Sequence, residues 1–257
     1  MLFFLIKKTF FDMWDNLLTI MLINTCVIFL SAGMFALPFA VKFSHVLFIL
    51  YQIITIPLFS FLLAVVFAMT KDYAAYKKND FREIFSHLER YFLPALITTV
   101  YVLSIMMVLT FVLPAYFSRG SLTGTALGTM LFWVWLPVFL SGFYFFPVVF
   151  QLQKSSAESI KICIFLLFDN FFFTIYMILM AVIILIISMP FFFLLPGFAT
   201  ASLWLNVCLR TLKYKYDYLE SHSGSNRAKI PWSDLIADDA QTIGPRSFKT
   251  LFFPWKQ

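Results

Sequence analysis

The stretch that decides the fold is KICIFLLFDNFFFTIYMILMAVIILIISMPFFFLLPGFATASLWLNVCLRTLK, residues 161–213. From Phe171 to Leu209 it runs for 39 residues without a charge. One helix needs only ~20 apolar residues to cross a ~30 Å hydrocarbon core. Met189-Pro190 lies near the middle of the run and Pro196-Gly197 follows, so the sequence parses as two spans joined by a tight turn.

The phrase that opens this stretch is heard twice more. Lys161, Phe165 and Phe168-Asp169-Asn170 match Lys7, Phe11 and Trp14-Asp15-Asn16 at the same offsets, each set standing before a long apolar run. A weaker copy, Phe85 with Leu88-Glu89-Arg90, precedes the run that begins at Tyr91. Pro57-Leu58-Phe59, Pro137-Val138-Phe139 and Pro196-Gly197-Phe198 extend the parallel into the second helices, an echo that a Phe-rich chain also produces by chance. The expectation is an all-α polytopic membrane protein of six transmembrane helices, arranged as three hairpins with short interfacial lead-in helices. The units are residues 1–76, 77–156 and 157–220, followed by a tail at 221–257.

Composition agrees. Of 257 residues 61% are hydrophobic and 12% charged, and the mean hydropathy is +0.88, beyond the range of soluble domains. The 35 Phe residues are expected to face lipid or pack between helices. The net charge of +6 does not point to nucleic acid, because most of it flanks the apolar runs. Lys7 and Lys8 precede an apolar run too long for a cleaved signal core, so that run reads as a first span.

The predicted spans are residues 17–39, 46–69, 91–116 and 128–151, with two more inside 171–209. Residues 1–15 suit a helix in the headgroup layer with its lysines facing the cytoplasm. A kink is expected at Pro57, and Trp133 and Trp135 are expected near the outer end of the fourth span. Gly120, Gly124 and Gly128 read as a flexible loop entering that span rather than as a helix-dimerisation stripe. All nineteen Lys and Arg except Lys42 and Arg119 fall on one side of this arrangement, as do all thirteen acids. The excess of basic residues makes that side cytoplasmic, with both termini inside a bacterial inner membrane.

Sites are scarce. No phosphate loop, HExxH, GxSxG elbow, Rossmann fingerprint or pair of intramembrane carboxylates occurs, so the chain is expected not to be an enzyme and to carry no cofactor. Cys26, Cys163 and Cys208 lack metal or CxxC spacing, and His45, His87 and His222 fall in separate segments. The polar groups at membrane depth, Asn24, Gln52, Thr55, Ser104, Thr200 and Asn206, suit hydrogen bonds between helices. Asp15-Asn16 and Asp169-Asn170 stand at the mouths of two helices. They can be read as paired carboxylates that bind a cation or guide a substrate, or as caps that accept backbone N–H groups at the positive end of the helix dipole, which is the simpler expectation.

The tail is too apolar to be an idle linker. Ile230-Pro231-Trp232 and the segment bearing Phe248, Phe252 and Trp255 are expected to dock on a partner protein or to lie on the bilayer.

The Phe-rich lead-in, Trp14-Asp15-Asn16 before the first span and the helix layout over residues 1–215 resemble the YesL-like family of small bacterial integral membrane proteins. The resemblance implies an accessory role in solute uptake, some members being associated with carbohydrate import systems, and it offers no catalytic residues. The partners it implies are the bilayer and other membrane subunits. The alternative reading of the chain is a passive pore or carrier for a small solute or lipid.

Overall fold

The structure, a computed structural model, describes residues 1–42, 44–77, 88–118, 120–222, 230–244 and 246, without the side chains of residues 45 and 49. Phe85, His87, Arg119, Phe248, Phe252 and Trp255 lie outside the described residues, and the readings attached to them with it.

Among the described residues every regular element is helical: α1 Leu2–Asp15, α2 Leu17–Ala40, α3 His45–Ala74, α4 Glu89–Phe117, α5 Leu122–Gly142, α6 Phe145–Leu152, α7 Ser156–Asp169, α8 Phe171–Ser188, α9 Gly197–Ser221, α10 Trp232–Leu235 and α11 Ala237–Ile243. A π-helical turn, Val108–Val112, interrupts α4. Among the described residues five helices are long and apolar enough to cross a membrane: α2, α3 from Val46, α4, α5, and α8 with its 3₁₀ extension to Phe191.

The 39-residue uncharged run does break into two helices, α8 and α9, around the turn at 189–196. They lie antiparallel, since the Trp204 indole N–H donates to Met177 O at 2.8 Å while Lys215 reaches Asp169 at 3.2 Å. α9 is not among the five apolar helices, and its packing gives the reason. Every residue from Gly197 to Leu212 except Phe198 and Arg210 is buried, against α2, α3, α6, α8 and α1. A helix enclosed by protein on all sides tolerates Thr, Ser and Asn where bonded neighbours replace lipid. Gly197, Ala199, Ala201 and Ser202 keep its surface narrow, so that adjacent backbones approach closely.

The turn before α9 is fastened by one side chain. Asn24 of α2, fully buried, donates to Leu194 O and Pro196 O at 2.9 Å and accepts from the Ala199 N–H at 2.8 Å. Gly197 follows a cis Leu195–Pro196 bond and has φ +71°. A Cβ there would stand 2.3 Å from Asn24 Nδ2, so the residue type is required twice over. Pro196 thus sits at the start of α9 and does not kink a helix.

Several predicted boundaries are corrected. The fourth span begins at Leu122, because Ser121 Oγ accepts from the Gly124 N–H at 3.1 Å and caps the helix there. It ends at Gly142, and the rest of the predicted span is the separate helix α6. Gly124 and Gly128 are therefore helical, and a Cβ on Gly128 would come within 3.1 Å of Phe117, so this glycine serves helix packing rather than loop freedom. Trp133 and Trp135 fall in the middle of α5, not near its end. Pro38 lies inside α2, two residues from its end.

Burial is uneven. Only 17% of the apolar window of α4 and 11% of that of α5 is buried, against 44% for α3. The core gathers where α3, α6, α8 and α9 meet, around Trp204, Tyr144, Leu203 and Met177.

Candidate functional site

The charged groups collect at one end of the bundle, where α3 and α6 finish and α9 begins to carry charge. α1 lays Leu5, Lys8 and Asp12 on one face, since offsets of three and four residues coincide on a helix. That face is buried, so Lys8 is 1% and Asp12 3% exposed. This corrects the expectation of a water-facing position for Lys8, whereas Lys7 is half-buried. Lys8 Nζ stands 3.0 Å from Asp12 Oδ2 in a buried ion pair, and 3.6 Å from the centre of the Tyr76 ring. Burial raises the Asp12 pKa to about 6 against the pull of Lys8, and lowers that of Lys8.

The tail closes the cluster. α11 packs on α1, and its Ile243 is buried. Asp239 on α11, also buried, accepts from Arg210 Nη2 at 3.2 Å and from the Tyr214 hydroxyl at 3.3 Å, while the Tyr76 hydroxyl donates to Asp239 O at 3.3 Å. Burial, with Asp12 and Asp239 nearby, pushes the Tyr76 phenol up, so it stays a donor. Lys7 donates to Gly244 O at 3.4 Å. Residues 237–244 and Arg246 therefore rest on this chain's own α1 and α9 and on Tyr76 just past α3.

The residues expected to cap helices do something else. Asp15 and Asp169 are the last residues of α1 and α7, and neither α2 nor α8 has a side-chain cap. The backbone bends one residue later, at Asn16 and Asn170, leaving each carboxylate at a negative helix end that calls for a cation. Arg246 supplies it to Asp15, and Lys215 to Asp169 at 3.2 Å with the Tyr216 hydroxyl at 2.6 Å. Asn16 and Asn170 donate backwards, to Asp12 O at 2.8 Å and Leu166 O at 3.3 Å. Asn170 also bonds the Tyr216 hydroxyl and accepts from Lys215.

Most polar groups inside the bundle bond one another or their own helix, Thr98 Oγ1 and the Tyr176 hydroxyl being buried without a hydrogen-bond partner among the described residues. Asn206 donates to Phe67 O and Thr70 Oγ1 at 3.0 Å, Gln151 donates to Asn206 at 2.9 Å, and Thr70 pairs with Ser202 at 3.0 Å. Gln52 donates to Met34 O, whereas Ser104 and Thr200 bond their own helices. Among the described residues no three His, Cys, Asp or Glu side chains come together to hold a metal ion. Cys26 is exposed, Cys163 and Cys208 are buried, and all three are free thiols.

Sequence reasoning missed Lys8, Asp12, Tyr76, Arg210 and Asp239. The i, i+4 spacing of Lys8 and Asp12 on the face that carries Leu5 was the only local signal.

A protein whose described residues are all-helical, with five helices among them fit to cross a membrane and charge gathered at one end, is the class these features define. The chain matches no protein-family model, no characterised protein and no solved structure.

Proposed function

We propose that the protein is a non-enzymatic integral membrane protein of the bacterial inner membrane, an accessory or assembly partner of a larger membrane complex. α9 completes six crossings in this reading, and both termini are cytoplasmic. Support for an even number of crossings comes from Lys215 beside Asp169 and Arg246 beside Asp15, which set the helix ends they join at one end of the bundle. The sequence resemblance to the YesL-like family points to solute import, including carbohydrate import, as the setting.

The observation that carries the proposal is the low burial of α4 and α5 beside that of α3. That pair buries little of itself in this chain, whereas the polar groups at the centre, Asn206, Gln151, Thr70 and Ser202, are bonded to one another. Affinity purification in mild detergent tests it, comparing the full chain with one ending at Arg246. A stoichiometric membrane partner supports the reading, and isolation of both forms without one counts against it.

One observation favours a second reading, lipid carriage. A cavity of about 430 Å³ between α2 and α3 is lined by apolar side chains such as Leu22, Cys26, Phe61 and Val65. Lipid transfer between vesicles containing the lone protein would separate the two readings.

A further inference from the structure

A cavity of about 310 Å³ opens where α3 and α6 end beside α9, with roughly the space of ten waters. Its wall carries four cations, Lys71, Lys77, Arg210 and Lys213, against two carboxylates, Asp72 and Asp217. Asp72 is already engaged by Lys71 at 3.2 Å. Among the described residues neither Lys77 nor Lys213 has a carboxylate within ion-pair distance.

We propose that this cavity binds a phosphate group, as the headgroup of an anionic phospholipid or as soluble phosphate. Two helices end here, and their carbonyl ends alone account for some of the lysines. They do not account for Arg210. Its Nη2 is held by Asp239, yet its Nε is buried and has no hydrogen-bond partner. A buried donor left unbonded is costly. The side chain is nonetheless a quarter exposed and lines the cavity, where its planar fork suits the oxygens of a second oxyanion such as phosphate. Lys77 and Lys213 are exposed at the rim, where flexible ammonium groups serve as point charges toward phosphate. Basic pockets among membrane helices at the level of the headgroups are where anionic lipids bind.

The phosphate chemistry is independent of the accessory role, and only its lipid source rests on the membrane reading. The full chain is purified in mild detergent, offered phosphatidylglycerol or phosphatidylcholine, and examined by native mass spectrometry for retained lipid. The same protein is titrated with inorganic phosphate and followed by thermal unfolding. Lys77→Gln with Lys213→Gln removes two rim charges without touching the core, and Lys42→Gln with Lys161→Gln removes two exposed charges elsewhere. The expected result is preferential retention of phosphatidylglycerol, reduced about tenfold or more by the rim pair and unchanged by the distant pair. Stabilisation by phosphate with the same dependence on the rim pair, without lipid preference, assigns the site to soluble phosphate. Equal loss in both variant pairs, or no response to either ligand, overturns the proposal.

Discussion

Arg246 reaches back across 231 residues to Asp15, its Nη1 lying 2.9 Å from both carboxylate oxygens. The guanidinium also sits 5.4 Å from the Phe11 ring centre. Both charged side chains remain nearly half exposed, which bounds the strength of the link: an ion pair in that setting contributes at most about 1 kcal/mol. Asp15→Asn should therefore leave hydrogen-exchange protection of residues 237–243 almost unchanged. Ile243→Ala, which empties a buried position, should lower that protection by about 2 kcal/mol or more. The reverse ranking would show that charge, not apolar packing, seats the tail.

Lys8 and Asp12 are a different case, because both are buried. Removing one partner strands the other, so Asp12→Asn should destabilise the protein by about 3–5 kcal/mol in detergent unfolding. Replacing both, Lys8→Met with Asp12→Leu, should recover most of that loss, since the desolvation cost of both charges disappears together. Equal destabilisation by single and double variants would assign the pair a role beyond mutual neutralisation.

The same pair sets a pH response. The folded-state pKa of Asp12 lies near 6, above the ordinary carboxylate value of 3.8. Between those values the folded protein holds the proton that the unfolded chain has already released. Stability contributed by this group is thus fully present below pH ~4, falls as pH rises toward ~6, and is level above that. Lys8, with its pKa lowered, works in the opposite sense, adding stability as pH climbs toward 10.5. Unfolding measured from pH 4 to 7 should show the decline in the wild type, and Asp12→Asn should remove it.

Asn24 and Gly197 make the turn before α9 a single unit. Asn24→Ala would leave Leu194 O, Pro196 O and the Ala199 N–H without this partner, at about 1–3 kcal/mol for each group that stays unbonded. Gly197→Ala should be at least as damaging, because the added methyl group meets the Asn24 amide and the residue must keep a positive φ. The check is thermal unfolding of both variants, with Thr25→Ala, whose hydroxyl bonds only Met21 O of its own helix, as the mild comparison.

The six-crossing reading has its own test. In a protein carrying Cys26→Ala, single cysteines at Ser44 and Ser155 should be labelled from opposite sides of the membrane, and one at Ser221 from the same side as Ser155. Labelling of Ser221 together with Ser44 would leave α9 outside the count of crossings.

Chain order and composition alone placed the helices at Leu17–Ala40, Glu89–Phe117 and Phe171–Ser188 to within a few residues, and located the break near Met189-Pro190. Lipid leaves the backbone few ways to satisfy its own hydrogen bonds, so a long uncharged run has little choice but to be helical. Reading failed where the signal was not periodic. The early start of α5 depended on one serine cap, and the end of the fourth predicted span was a separate buried helix with the same apolar composition.

What the sequence by itself determined is a set of apolar helices, their breaks, and the gathering of charge into the segments between them. Only the tertiary structure decided that α9, the least apolar of the long helices, is the centre of the bundle. It also decided that Lys8 and Asp12 are buried and that the tail rests on α1. The reason is physical: apolar run length acts on each segment separately, whereas burial and the pairing of a charge depend on neighbours such as Asp239 for Arg210 and Arg246 for Asp15, which no local pattern encodes.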